Sequence, residues 1–211
     1  MKPILLLSFA VSIASNAAVI SIPTANVTAS SEIPPSFNRQ DDFIVNGNGL
    51  SGGLHNITPD GGMWLSRGTG FGGDDLDPSV SFDLGAVYTI NSFRVWNYNE
   101  AGNLSRRGVN GVSVEYGETL ALGATVAGIT NFTQAPGANG YAGELYNSFA
   151  PFDARYVKFD IDSNHGGDNN FYGLSEVQFD GVLAPTTVIP EPSSTALLGL
   201  GILSIAFLRR K

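Results

Sequence analysis

Several short segments in the middle of the chain alternate apolar and polar residues. The alternation is clear in residues 80–84, 112–116 and 155–161, and it is typical of strands with one buried face. Residues 88–98 carry apolar side chains on both faces, which predicts a central strand, and Gly85 is expected to separate it from the strand before. Further strands are predicted at residues 19–22, 26–31, 121–129 and 174–179.

Turn-forming residues separate these segments, and no long amphipathic helix interrupts them. The chain has 26 Gly and 11 Pro among 211 residues. Many short strands joined by turns predict an all-β domain, either a β-sandwich or a jelly roll. A stretch rich in Gly, Asn and Asp runs from about residue 32 to 78, and such a long irregular region inside a compact domain is usually functional loop structure.

The first residues have the order of a secretory signal peptide. Lys2 precedes an apolar run at residues 4–11, and small residues follow at 15–18. The run is shorter than the roughly 20 apolar residues of a comfortable membrane span. We therefore predict a signal peptide at residues 1–17, cleaved after Ala17, with Ala18 as the alternative. A buried first helix is the other interpretation, but no helical periodicity follows it.

The C-terminal residues form a second apolar segment with charged flanks. A Pro- and Thr-rich linker at residues 184–194 contains Pro190, Glu191 and Pro192. Residues 195–211 are predicted to be a transmembrane helix with a basic tail that includes Arg209 and Arg210, which the positive-inside rule places in the cytoplasm.

The tripeptide, the apolar helix and the basic end together resemble the PEP-CTERM sorting signal of Gram-negative bacteria. The resemblance implies that an exosortase-type enzyme processes the tail at the inner membrane. It also implies a final location at the cell surface or in the extracellular matrix, alongside exopolysaccharide. An ordinary single-pass tail anchor is the alternative.

Composition excludes several kinds of chemistry. The absence of cysteine excludes thiol nucleophiles and zinc–thiolate sites. The net charge of −8 argues against nucleic acid as a partner and is compatible with neutral sugars and divalent cations. The two histidines lie in no metalloprotease, triad or phosphate-loop pattern, so we predict no enzyme. Acids are numerous, so a glycosidase-like pair of carboxylates is not excluded.

Three segments resemble consecutive strands of discoidin-like domains, also called the coagulation-factor C-type or galactose-binding-like fold. They are residues 81–90, which contain Asp-Leu-Gly before a strand, and residues 154–159 and 173–179. The resemblance implies one jelly-roll β-sandwich over residues 18–183.

Discoidin-like domains of the carbohydrate-binding kind often hold a structural calcium ion, and the resemblance carries this expectation to four residues. Glu176 stands where the family has a glutamate on its last strand. Asn46 and Asn48 lie in the place of the family's metal loop, with Asn46 where an Asp is usual, and Asp42 or Asp41 supplies a carboxylate. Calcium takes six to eight oxygen ligands of these kinds. The alternative for Glu176 is an ion pair with an Arg or a loop cap.

Sugar binding needs an aromatic face and polar groups on loops with rigid bases. Trp64 lies in the long loop, and residues 165–172 form the loop before the last strand, so we expect the two to converge at one end. Trp64 is equally consistent with a core position, and a core position is favoured for Trp96. The predicted ligand-binding residues are His55, Trp64, Arg67, Arg106, His165, Asn169, Asn170 and Tyr172.

The sequence therefore predicts an exported surface or biofilm-matrix protein whose β-sandwich binds carbohydrate, and exopolysaccharide is the expected ligand. One alternative is a structural or adhesive matrix protein that contacts other proteins. The other is a polysaccharide-cleaving enzyme, which a cleft with paired carboxylates would favour.

Overall fold

The computed structural model describes residues 17–166 and 170–185. Several predictions lie outside these residues: the signal peptide apart from Ala17, Asn169, the sorting motif Pro190-Glu191-Pro192, and the terminal helix with Arg209 and Arg210. Within the described part of the chain, no helix has the length and apolar character needed to cross a membrane.

The described residues form eleven strands, with only short 3₁₀ helices between them. In chain order the strands are β1 (Ala18–Val19), β2 (Val27–Ala29), β3 (Leu50–Ser51), β4 (Leu54–His55), β5 (Trp64–Leu65), β6 (Ser79–Asn97), β7 (Val112–Gly117), β8 (Ala124–Thr125), β9 (Glu144–Tyr146), β10 (Phe152–Ile161) and β11 (Gly173–Leu183).

The long strand β6 belongs to both layers of the sandwich. Its first half pairs with β2 and β10, and its second half pairs with β11 and β9. Gly85 has φ 83°, and the register against β10 shifts between Ala154 and Tyr156. The expectation that Gly85 ends a strand is therefore wrong, because the glycine lies in a bulge and the strand stays paired with β10 on both sides of it.

Aromatic side chains fill the space between the layers. Phe82 of β6 lies 5.2 Å from Phe159 of β10 and 5.2 Å from Phe179 of β11, measured between ring centroids. Phe93 lies 5.9 Å from Phe159, and all four rings are buried. The predicted all-β sandwich is confirmed.

Two strand predictions differ from the structure in extent. The segment 121–129 contributes only the two residues of β8, because its other backbone groups lie in turns. The segment 26–31 contributes the three residues of β2.

The pairing of β5 with the start of β11 decides where the loops meet. Trp64 lies opposite Leu174, and Leu65 lies opposite Gly173. The loop that leaves β5 and the loop that enters β11 therefore lie side by side at one end of the sandwich, as expected from the sequence.

Candidate functional site

Three phenylalanines from three separate loops meet at this end of the sandwich, and we call them the aromatic end cluster. The rings of Phe37 and Phe71 make an edge-to-face contact with centroids 5.0 Å apart, and Phe71 lies 5.7 Å from Phe171. Phe171 is 2% exposed, whereas Phe37 is 41% exposed. The cluster thus rises from a buried base to a ring that solvent reaches.

Charged side chains support the base of the cluster. Arg107 places its guanidinium carbon 4.7 Å from the Phe171 ring centroid and pairs with Glu100 at 3.4 Å. Glu100 also accepts a 3.0 Å bond from Arg39 and a 2.6 Å bond from the Tyr98 hydroxyl. Burial, together with the charge of Glu100, raises the pKa of Tyr98, so its hydroxyl remains a donor. One carboxylate thereby fixes two guanidinium groups.

Phe71 separates two neighbouring cavities. The inner one has a volume of about 130 Å³, and Arg39 and Arg107 face it beside the three phenylalanines. The outer one has a volume of about 280 Å³ and is lined by polar residues that include Glu32 and Arg67. An aromatic ring with hydrogen-bonding groups on both sides suits a ligand that has both C–H and O–H surfaces.

Three of the predicted ligand-binding residues lie on the loops that carry Phe71 and Phe171, and one of them, Arg67, lines the outer cavity beside Phe71. Arg67 is exposed, and its backbone N–H donates to the Ser31 hydroxyl at 3.1 Å. Asn170 donates to Asp74 at 2.8 Å, which ties the loop before β11 to the loop after β5. Burial and the nearby charges of Asp75 and Asp74 raise the pKa of Tyr172.

Two other predicted ligand-binding residues lie in the interior. Trp64 is fully buried, and its indole N–H donates to the Ser31 carbonyl at 3.0 Å. His55 is also fully buried, and its ring lies directly beneath Gly49, where an added Cβ would approach it to 2.7 Å. Burial lowers the pKa of His55. Neither side chain offers a surface to a ligand, because packing occupies both faces of each ring.

Two further described candidates, His165 and Arg106, contact each other through their backbones. His165 is half-buried and bonds through its backbone N–H to the Arg106 carbonyl at 2.9 Å, while burial lowers the pKa of its ring. Arg106 is exposed on the 3₁₀ helix Gly102–Arg107. Trp96 is a core residue whose indole N–H donates to the Gly53 carbonyl at 3.2 Å.

Glu176 on β11 belongs to a second candidate site. The residue is 1% exposed, and its Oε2 accepts a bond from the Gly47 backbone N–H at 3.0 Å. Burial raises the pKa of this carboxyl to about 8. A buried carboxylate without a positive partner is costly, so it is either protonated or matched by a cation.

The loop predicted to bind metal packs against this carboxyl. Asn46 and Asn48 flank Gly47, and the Asn46 side-chain oxygen accepts the Asn48 N–H at 2.8 Å. Asp42 lies on the 3₁₀ helix Asp41–Ile44, which packs against β11, and burial and the charge of Asp41 raise its pKa. The described residues contain no group of three or more His, Asp or Glu side chains around one point, so backbone carbonyls have to supply most ligands of a cation here.

Sequence reasoning missed Phe37, Phe71 and Glu100. Both aromatic residues lie in irregular loops rich in Gly and Pro, where no periodicity marks them. The usable signal was a large aromatic residue in an otherwise polar loop. Such a residue has no apolar neighbours in its own segment and therefore has to pack against other parts of the chain or remain at the surface.

Comparisons of the sequence with known proteins give two results. Residues 188–211 match the model of the PEP-CTERM protein-sorting motif. No curated protein matches the sequence.

Solved structures match the described domain. A family 32 carbohydrate-binding module of NanJ from Clostridium perfringens, in complex with galactose, has 18% identity and a TM-score of 0.50 over 78% of this chain and 98% of its own. A family 32 module of a family 31 glycoside hydrolase from the same organism has 18% identity and a TM-score of 0.53. The match covers 77% of this chain and 95% of that module. The C-terminal domain of a chitobiase from Bacteroides fragilis has 19% identity and a TM-score of 0.55 over 80% and 100%.

The domain has the fold of family 32 carbohydrate-binding modules. This CBM32-like domain is joined to a PEP-CTERM sorting motif in one chain. The NanJ module and the module of the family 31 hydrolase are carbohydrate-binding modules, and the identities establish the fold alone.

Proposed function

We propose that this protein is exported and sorted by an exosortase-type system, and that its CBM32-like domain binds carbohydrate at the aromatic end cluster without catalysing a reaction. The surroundings of the exposed Phe37 ring support the proposal. The ring lies on a buried aromatic base, beside cavities that carry guanidinium, carboxylate and hydroxyl groups.

A sugar ring has one face of C–H bonds and a rim of hydroxyls. In the proposed complex the C–H face packs on Phe37 and Phe71, and hydroxyls exchange hydrogen bonds with Arg67 and Glu32, which line the outer cavity. Phe171 stays beneath them, fixed by Arg107. Because this base is already ordered, little conformational entropy is lost when a ligand binds.

The PEP-CTERM motif supports a location at the cell surface or in an extracellular matrix, and the ligand we favour is the exopolysaccharide of that matrix. A surface-attached module of this kind holds its protein on the polysaccharide. Repeated sugars along one chain also raise the effective concentration for rebinding.

We further propose that Glu176 and the loop around Gly47 hold a structural Ca²⁺. The buried carboxyl with its raised pKa supports a nearby cation, and Asn46, Asn48, Asp42 and the loop carbonyls are hard oxygen donors of the type that Ca²⁺ takes. The ion would fix the metal loop against β11.

Affinity electrophoresis tests the binding proposal. The full chain, purified in mild detergent, is run through gels that contain soluble neutral or acidic polysaccharides, with calcium or with chelator. We expect retardation by at least one polysaccharide, and we expect Phe71→Ala to reduce it while the exposed-site control Leu145→Ala does not. No retardation on any polysaccharide under either condition would contradict the proposal.

A further inference from the structure

A second concave surface crosses the outer face of the sheet that contains β2, the first half of β6, and β10. It has a volume of about 460 Å³. That volume lies within the roughly 300–1,000 Å³ range typical of small-molecule sites. We call this surface the sheet groove, and its lining shares no residue with the cavities at the aromatic end cluster.

The strand register builds a polar floor for the groove. Thr28 lies opposite Ser81, and Ser81 lies opposite Lys158, so one row of polar side chains crosses three strands. Asp83 lies opposite Tyr156 in the next outward-facing row. This floor offers hydroxyl, carboxylate and ammonium groups beside one aromatic ring.

An irregular loop forms an apolar wall beside that floor. Leu120 and Leu122 line the groove, and Leu120 is 80% exposed. Gly117 lies opposite Tyr156, and a Cβ there would approach the Thr119 carbonyl to 3.1 Å. The loop folds closely over the end of β7 because this position lacks a side chain, and its leucines are thereby held over the sheet face.

The charged groups of the groove already have partners. Asp83 accepts bonds from Arg155 at 2.8 and 2.9 Å, and Lys158 pairs with Asp160 at 2.8 Å. The Arg155 guanidinium carbon also lies 5.0 Å from the Tyr156 ring centroid, which restrains that ring. With its charges paired, the groove offers fixed dipoles and an aromatic edge, and it has little attraction for an ion.

We propose that the sheet groove is a second carbohydrate-binding site, which takes a short length of a neutral polysaccharide chain. Hydroxyls of the sugar rings bond to the row of Thr28, Ser81 and Lys158, and their C–H faces pack on Tyr156 and the leucine wall. Two separate sites on one domain give avidity for a polymer, because a chain that leaves one site is still held at the other.

The test uses the full chain in mild detergent and gels that contain soluble galactan, glucomannan or β-glucan, with alginate as the acidic comparison. The groove variant is Leu120→Asp, which changes an exposed side chain and therefore keeps the fold, and the matched control is Leu183→Asp at 63% exposure. Tyr156→Ala is a second groove variant, checked by its melting curve. We expect each groove variant to weaken retention on a neutral polysaccharide about tenfold, also in the Phe71→Ala background, and the control to change nothing.

The outcomes separate this inference from the proposed function. If the groove variants bind like the parent and Phe71→Ala binds less, the groove proposal fails and the end-cluster proposal stands. If the groove variants bind less and Phe71→Ala does not, the groove proposal stands and the end-cluster proposal fails. Stronger retention on alginate than on neutral chains overturns the ligand class. Self-association in sedimentation that Leu120→Asp alone removes, with polysaccharide binding unchanged, identifies a protein contact and also overturns it.

Discussion

The guanidinium of Arg107 lies over the ring of Phe171, 4.7 Å from its centroid. The same guanidinium pairs with Glu100, so an electrostatic network holds the buried base of the aromatic end cluster from below. Cation–π contacts of this partly desolvated kind contribute about 0.5–2 kcal/mol. The ring surface proposed to meet a ligand is therefore positioned before a ligand arrives.

Removal of the shared carboxylate is expected to loosen this base. Glu100→Gln leaves Arg39 and Arg107 with a neutral partner in a site where their side chains are 13% and 14% exposed. We expect a loss of about 2 kcal/mol in the free energy of unfolding, measured by chemical denaturation, together with weaker polysaccharide retention. Asp60→Asn is the matched control, because Asp60 also pairs with Arg39 but is 64% exposed, and it should change stability little.

Replacement of the exposed ring separates binding from folding. Phe37→Ala removes a side chain that is 41% exposed, so the melting temperature is expected to change little. Retention on the polysaccharide that binds the parent protein should fall about tenfold, because the sugar loses its stacking surface. Unchanged retention with an unchanged melting curve would exclude Phe37 from the site.

Trp64 is expected to act on stability alone. Trp64→Phe leaves the Ser31 carbonyl without its buried donor and opens space in the core, which costs about 2 kcal/mol or more. Binding by the folded fraction should keep the parent affinity, as titration below the melting temperature would measure. A loss of affinity without a loss of stability would contradict this prediction and would indicate that Trp64 contacts the ligand.

If the calcium proposal is correct, the free energy of unfolding of the metal-free protein depends on pH, and bound calcium removes this dependence. The pKa of Glu176 is raised from 4.5 to about 8, so the folded state binds the proton more tightly than the unfolded state does. Without metal, this contribution is fully present below pH 4.5 and is lost as pH rises through about 8. Glu176→Gln should abolish both this loss and the rise in melting temperature on adding calcium at pH 8. A parent melting curve that neither calcium nor chelator moves would show that no such ion binds.

Gly49 provides a test of how the metal loop is supported. It has φ 85°, and a Cβ at this position would approach the buried His55 ring to 2.7 Å. Gly49→Ala should lower both the melting temperature and the calcium-dependent stabilisation, because the loop has to move away from the ring. Gly52→Ala is the control: Gly52 has φ 58°, but a Cβ there meets nothing within 4 Å, so only backbone strain is added. Equal effects of the two variants would mean that contact with His55 does not position the loop.

The core strands could be predicted from the sequence because their signal is local. Alternating residues such as Val157, Phe159 and Ile161 mark the buried face of β10 regardless of what they pack against. The role of Gly85 could not be predicted in this way, because a glycine occurs both in β-bulges and at strand ends. In the structure β10 pairs with β6 on both sides of Gly85, which identifies a bulge.

The aromatic end cluster was less accessible to sequence reasoning for a related reason. Phe37, Phe71 and Phe171 are far apart in sequence and meet only because β5 pairs with β11. Asn170 and Tyr172 were predicted because they lie in the loop before the last strand, and Arg67 lies in the long loop predicted at residues 32–78. Trp64 and His55 lie in that same loop, and neither a loop position nor the residue type distinguishes a buried ring from an exposed one.

The last strand runs from the aromatic end cluster to the opposite end of the sandwich. β11 begins at Gly173, two residues after Phe171, and its 11 residues end at Leu183, close to the pairing of Gly181 with Ala18. At ~3.3 Å per residue, the ten steps between these ends span about 33 Å. A tether that continues from Leu183 is thus attached at the pole opposite the phenylalanines. Anchorage at that pole would turn the aromatic surface outward, away from the lipid and toward the polymers around the cell.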